Sequence, residues 1–220
     1  MTGLLGIVEL NSSSIIISSL YHVQSGSCRG PDRSDSRRSD ILRIPYPVSP
    51  EASSNGGGPN GEVLNIQRML KHLPTDILQA LEGLLAAVLW KGSVPPALRE
   101  LAIVRLGNLS DSAYELQHHE PFARHLGVTQ EKIDKLKQSE ISSVFSPAER
   151  AVLEFVDELA TNARPSDAAL NNLQRHFSAP EILELVVAVG CYMTVCRVLE
   201  TTGIECDTFS LDPAGPADQN

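Results

Sequence analysis

The chain is short of aromatic residues, of positive charge and of closely spaced cysteines, and each shortage removes a class of protein. Phe, Trp and Tyr make up 5% of the 220 residues, with a single Trp, so any core must be built from Leu, Val, Ile and Ala. Lys and Arg number 18 against 27 Asp and Glu, a net charge of -9 that lacks the basic face a nucleic-acid partner requires. The four cysteines, Cys28, Cys191, Cys196 and Cys206, include no pair with the two-residue gap of a zinc ribbon or dithiol motif. That usage points to a reducing, cytoplasmic compartment, and Cys191 and Cys196 read as buried thiols on an apolar helix. No run reads as a membrane span, so neither a transmembrane helix nor a membrane partner is expected. Internal repeats are absent too, and the glycines of GGGPNG follow no strand, which makes them linker and not a phosphate loop.

What is present divides unevenly. Residues 1–60 are dominated by Ser, Gly, Pro and alternating Arg and Asp, a composition that cannot bury a core and reads as a disordered or weakly ordered leader. Residues 61–208 carry helical signals, and 209–220 read as a flexible tail. VLNIQRMLKHLP has apolar residues at helical spacing and stops at Pro74. Thr75 is expected to cap DILQALEGLLAAVLWKG, closed by Gly92. Pro95 and Pro96 restart the chain, and Thr129 to Lys137 fits a short helix. Ser146 with Glu149 and Ser178 with Glu181 form capping boxes, and Ser166 opens a further helix between them. The last helix, PEILELVVAVGCYMTVCRVLETTG, is so apolar that it must be central or lie in a subunit interface.

The chemistry is concentrated in LRELAIVRLGNLSDSAYELQHHEPFARHLG, from Leu98 to Gly127. Leu98 to Leu109 is apolar over most of a helical circumference, with Glu100 the exception. After the turn formers Asn108, Ser110 and Asp111, a second helix stacks Ser112, Glu115, His119 and Phe122 on one face, because positions three and four apart lie above one another. A carboxylate beside an imidazole, partly shielded from water, can hold a proton between them and serve as an acid/base pair. The same spacing also fits a solvated ion pair on a helix surface. Glu115, His118, His119 and His125 include metal-ligand types, but in no recognised spacing, so no metal is expected.

These residues resemble the carboxymuconolactone decarboxylase family, whose superfamily includes the alkylhydroperoxidase D-like (AhpD-like) peroxidases. The resemblance rests on Leu98-Arg99-Glu100-Leu101, Tyr114-Glu115, His118-His119, Ala123 and Gly127. It extends to Asn65, Arg68 and His72 upstream and to Gly190, Tyr192, Val195 and Arg197 near the end, covering about Arg43 to Asp207. In the peroxidase branch the site is a pair of redox cysteines, a following histidine and a glutamate on the preceding helix. Those positions fall on Ser112 and Glu115, His119 and Glu100. A serine and a glutamate cannot form the required disulfide, so the chain resembles the cysteine-less, decarboxylase-like branch. Met193 stands where Asn is frequent and Leu116 where Trp is common, which implies a more apolar pocket wall.

The resemblance implies an all-α, AhpD-like bundle of about six to eight helices, assembled as a homotrimer or homohexamer. It also implies a cofactor-free lyase or isomerase acting on a small carboxylic acid or lactone, in aromatic catabolism or in tailoring of polyketides and other natural products. His119 would donate the proton, Glu115 orient it and Glu100 relay protons from the neighbouring helix. Ser112, Tyr114, His118, Arg99, Arg105, His72 and Tyr192 are candidates to bind the substrate, with structural roles the other reading for Tyr114, His118, Arg99 and Arg105 and a contact to free helix-end carbonyls the other reading for His72. Two other readings stay open: a peroxide reductase, which needs a reactive thiol, and a non-catalytic oligomeric binding or scaffold protein.

Overall fold

A computed structural model describes residues 21–22, 42–48, 63–208 and 212–213. The expectations for the remaining leader, the GGGPNG linker, Cys28 and most of the tail lie outside the described residues. The described chain forms eight helices: α1 (Asn65–Leu70), α2 (Thr75–Trp90), α3 (Pro96–Leu109), α4 (Ala113–His125), α5 (Gln130–Lys135), α6 (Pro147–Thr161), α7 (Asp167–Leu173) and α8 (Ala179–Thr202). One short antiparallel pair joins Tyr21–His22 to Asp212–Pro213.

The helix starts follow from local chemistry. Ser146 Oγ accepts from Glu149 N at 3.3 Å while Glu149 Oε2 accepts from Ser146 N at 2.7 Å, completing the capping box of α6. Glu181 returns to Ser178 N at 2.7 Å at the start of α8, and Ser166 Oγ and Thr129 Oγ1 accept from Ala169 N and Lys132 N. Thr75 departs from expectation. It is the first residue inside α2, the cap position is Pro74, and no side chain caps that end.

Helix α3 is the axis of the bundle, buried without a break from Leu98 to Gly107 because α4, α6 and α8 all pack on it. This is why its sequence is apolar all round, and why Glu100 sits at zero exposure in its middle. Helix α8 buries Ile182, Leu185, Ala188, Val189, Tyr192, Cys196 and Leu199 inward and leaves Leu183 at 65% and Val187 at 45% exposure outward. Its 24 residues are long and apolar enough to cross a membrane by length and composition, against the expectation that no run approaches a span. Half of it packs into the core, as the central helix of a bundle does. Helix α2 is also only half covered, with Ile77 and Leu84 exposed and Val88 its one buried residue.

Two local features set α4 against α3. The connection turns tightly through Asp111, which holds a left-handed φ of 51°, a conformation that short polar side chains tolerate. Gly107 then permits close approach: a Cβ there would stand 3.1 Å from Leu116 Cδ2 and 3.4 Å from Glu115 Cγ. The face carrying Ser112, Glu115 and His119 is thereby pressed onto the face carrying Glu100.

The chain ends of the bundle cross the far side of α4. Arg43 N and Ile44 N both donate to Thr202 O, so the extended segment 42–48 lies along the end of α8.

Candidate active site

His119 is held between two carboxylates from two helices. Its Nδ1 lies 2.7 Å from Glu100 Oε2, and its Nε2 lies 3.3 Å from Glu115 Oε1. Side-chain exposure is 15% for His119, 4% for Glu115 and zero for Glu100, so the imidazole is the member that reaches the outside. The 2.7 Å contact makes Glu100 the acceptor for Nδ1–H, which leaves Nε2 as the working nitrogen. Arg99 Nε stands 3.4 Å from Glu100 Oε1 and balances its charge, and Arg99 Nη1 donates to Val88 O. Tyr192 of α8 meets the imidazole edge to face, with ring centroids 5.0 Å apart and planes at 88°.

Burial shapes the electrostatics. Desolvation pushes the Glu115 carboxyl up to about 7, with the Glu100 charge adding to it and His119 opposing it. Its place in the first turn of α4 favours negative charge, but the loss of water outweighs the helix dipole. Burial works against a charged His119, yet Glu115 and Glu100 together outweigh it and raise its pKa. The cluster therefore keeps a proton to near neutral pH and can exchange it there.

Three buried polar atoms on α4 and its N-cap have no hydrogen-bond partner among the described residues: Ser112 Oγ, Glu115 Oε1 and His118 Nδ1. The serine is notable because it occupies the N-cap position of α4 without capping it.

The other residues named as substrate binders are engaged elsewhere. Tyr114 Oη donates to Asp207 Oδ2 at 2.5 Å, and His118 Nε2 lies 3.0 Å from the same oxygen. Asn65 N donates to the other oxygen at 2.9 Å, and Gln117 clamps the Asp207 backbone through both its N–H and its carbonyl. Desolvation lowers the pKa of His118 against the opposing pull of Asp207. Arg105 grips both oxygens of Asp157, at 2.6 and 2.7 Å, and donates to Leu136 O and Gln138 O. His72 Nε2 meets Pro45 O at 2.8 Å in the extended segment. Ser112, Arg99 and Tyr192 lie with His119 or its carboxylates, whereas Tyr114 and His118 meet Asp207, Arg105 meets Asp157 and His72 meets Pro45 O. Asp207, which organises two of them, carried no local sequence signal, since its partners lie about 90 residues away.

Leu116 packs beside Gly107. Met193 instead lines a groove of about 390 Å³ between the end of α6 and α8, with Leu159, Val186, Gly190 and Arg197. None of the residues around His119 lines that groove. The two departures from the family pattern thus lie in different places.

The fold is that of AhpD-like helical proteins. A protein of unknown function from Agrobacterium tumefaciens, assigned provisionally as the antioxidant defence protein AhpD, superposes with a TM-score of 0.58 at 25% identity, over 62% of this chain and 94% of that one. A peroxidase-related protein with an alkylhydroperoxidase AhpD core from Ralstonia eutropha JMP134 gives 0.60 at 20% identity, over 67% and 78%. The debrominase Bmp8, as a cysteine-to-alanine variant bound to 2,3,4-tribromopyrrole, gives 0.57 at 19% identity, over 65% and 76%. Residues 75–158, which include Glu100, Ser112, Glu115 and His119, match the carboxymuconolactone decarboxylase family model. The chain thus carries a carboxymuconolactone decarboxylase family match over residues 75–158 within an AhpD-like helical fold.

Proposed function

We propose that this protein is an acid–base enzyme that decarboxylates or isomerises a small cyclic carboxylic acid or lactone without a cofactor. The observation that carries this reading is the clamp of His119 between Glu100 and Glu115, with the imidazole alone reaching outward. Glu100 fixes the ring and its tautomer through Nδ1, so Nε2 delivers a proton to, or removes one from, a substrate carbon. This exchanges the roles expected from sequence: Glu100 orients, and Glu115, at 3.3 Å, is the carboxyl that trades protons at the working nitrogen. A tailoring step in natural-product biosynthesis is in keeping with the debrominase among the structural neighbours. The uncovered apolar residues of α2 and α8, Ile77, Leu84, Leu183 and Val187, support a trimer or hexamer in which copies of the chain cover them.

Peroxide reduction is the second reading, and the peroxidase-related neighbour with the same fold is what favours it. It needs a thiolate beside His119. Positions 112 and 115 hold Ser and Glu, and burial raises the thiol pKa of Cys191 and pushes that of Cys196 up to about 12.

The test compares metabolites of the native producer carrying wild-type protein with those of a His119→Ala strain, by mass spectrometry and NMR. The expected result is a precursor that accumulates and is heavier than the product by one carbon dioxide, or equal to it in mass for an isomerisation. An unchanged profile overturns the reading.

A further inference from the structure

We propose that Asp207, His118 and Tyr114 form an acid-released latch, in which a second proton on the His118 ring, taken at Nδ1, frees α1 and residues 204–208 from the side of α4 that carries Tyr114 and His118. The latch lies apart from His119 and its two carboxylates, and the inference does not depend on the reaction proposed above.

Three observations carry it. The Asp207 carboxylate gathers three donors: Oδ2 accepts from Tyr114 Oη at 2.5 Å and from His118 Nε2 at 3.0 Å, and Oδ1 accepts from Asn65 N at 2.9 Å. Tyr114 Oη in turn accepts from Ile66 N at 3.2 Å. Leu64 has no side-chain acceptor with which to cap α1, so the first amides of that helix are held from distant parts of the chain. Next, a carboxylate only accepts, so Nε2 carries the proton of the neutral ring and Nδ1 is a bare acceptor, buried and without a partner. A proton added there would be an N–H with no acceptor and a charge shut off from water, both of which opening relieves. Last, the latch covers a small apolar cluster of Met69, Tyr114, Val195, Leu199 and Ile204, separate from the main core, so it can open while the bundle stays closed.

The surrounding charges agree in direction. Burial, the largest effect, lowers the pKa of His118; the bond to Asp207 and its charge oppose this, and His119 on the same helix adds to the lowering. Tyr114 stays neutral, since burial and Asp207 raise its pKa. Beyond Asp207, Tyr46 of the segment 42–48 donates to Glu205 Oε2 at 3.1 Å, and Arg68 of α1 lies 4.1 Å above the Tyr46 ring. Helix α8 presents Val195 and Leu199. With its closed-state pKa below 6.5, His118 contributes stability that is intact above 6.5 and is lost as pH falls towards the closed-state value.

The test is amide hydrogen exchange by NMR on the full chain, expressed as protection factors so that the intrinsic rate divides out, between about pH 7.5 and about pH 5. Asn65, Ile66 and Asp207 report the latch, because their amides donate to the side chains of Asp207, Tyr114 and Gln117. In acid they should lose protection at least about threefold, under a ceiling of about thirtyfold that an ordinary histidine sets at about pH 5, while Ile103 and Val104 of α3 keep theirs. His118→Gln places an amide donor near the position of Nε2 and cannot titrate, so the three amides should then show a flat profile. No loss in wild type, an equal loss in α3, or the same loss in His118→Gln overturns the proposal, the last by assigning the opening to the Asp207 carboxyl. Should His118→Gln not fold, a ¹⁵N titration of the wild-type His118 ring decides: its protonation should span the interval in which the latch amides lose protection, and protonation already complete above 6.5 overturns the latch.

Discussion

His119 Nδ1 stands 2.7 Å from Glu100 Oε2, a bond between the second helix of the central hairpin and the buried middle of the first. It fixes the imidazole ring and, with Nδ1 donating, leaves Nε2 free to exchange a proton. Replacing Glu100 with Gln keeps the shape but allows the amide to present either a donor or an acceptor, so the tautomer is no longer set. The expected result is a fall in kcat of about a hundredfold with KM nearly unchanged. Steady-state kinetics on the precursor identified in the metabolite comparison measures it, and a rise in KM alone would assign Glu100 to substrate binding.

Glu115 links the site to stability. Its pKa is raised from 4.5 to about 7 by burial, so within that window the folded protein holds a proton that the unfolded chain has released. Stability therefore falls as pH rises through the window, by up to about 3 kcal/mol. His119 acts in the same sense higher up: its raised pKa contributes stability that is complete below 6.5 and lost as pH passes its folded value. Glu115→Gln should flatten the lower part of the profile, as measured by urea denaturation at a series of pH values. A variant profile parallel to wild type would show that Glu115 ionises normally.

Arg105, a candidate either for the substrate or for a structural role, joins α3 to α6 and to the segment after α5, with Asp157, Leu136 O and Gln138 O as partners. Arg105→Met strands Asp157 and should cost roughly 3 kcal/mol in denaturant unfolding. Its catalytic parameters at a temperature where it is folded should match wild type.

Asp207 gathers α1, α4 and the segment after α8 through Asn65 N, Tyr114, His118 and Gln117. Asp207→Asn weakens the charge-assisted bonds and should destabilise by about 2 kcal/mol. Hydrogen exchange should show faster opening of α1 and of residues 204–208, with α3 unchanged. Uniform acceleration across all helices would mean that the segment is not a separate opening unit.

How much of this was legible depended on sequence distance. The Ser146–Glu149 capping box and the Glu115–His119 pair lie within one helical turn, where spacing alone sets geometry. Glu100 came from the family pattern, because nothing in its own apolar helix indicates which side faces α4. Partners far along the chain left no local signal: Arg105 meets Asp157, 52 residues on, and Tyr114 meets Asp207, 93 residues on. A charged or polar side chain looks the same in sequence whether it faces a substrate or a buried counterpart. Thr75 failed for the opposite reason: Pro74 already occupies the cap position, and its fixed φ starts the helix without a side-chain bond. The long apolar α8 satisfies the composition of a membrane span because a central core helix has the same composition.

The most direct measurement of the central claim is a pH titration of the ¹⁵N-labelled His119 imidazole by NMR, with His119→Gln for assignment. The expected result is a neutral form protonated at Nδ1, bound to Glu100, with Nε2 as the nitrogen that titrates and with a pKa above 6.5. A neutral form protonated at Nε2, or a pKa below 6.5, would contradict it, since His119 could then neither be oriented by Glu100 nor carry a proton at neutral pH.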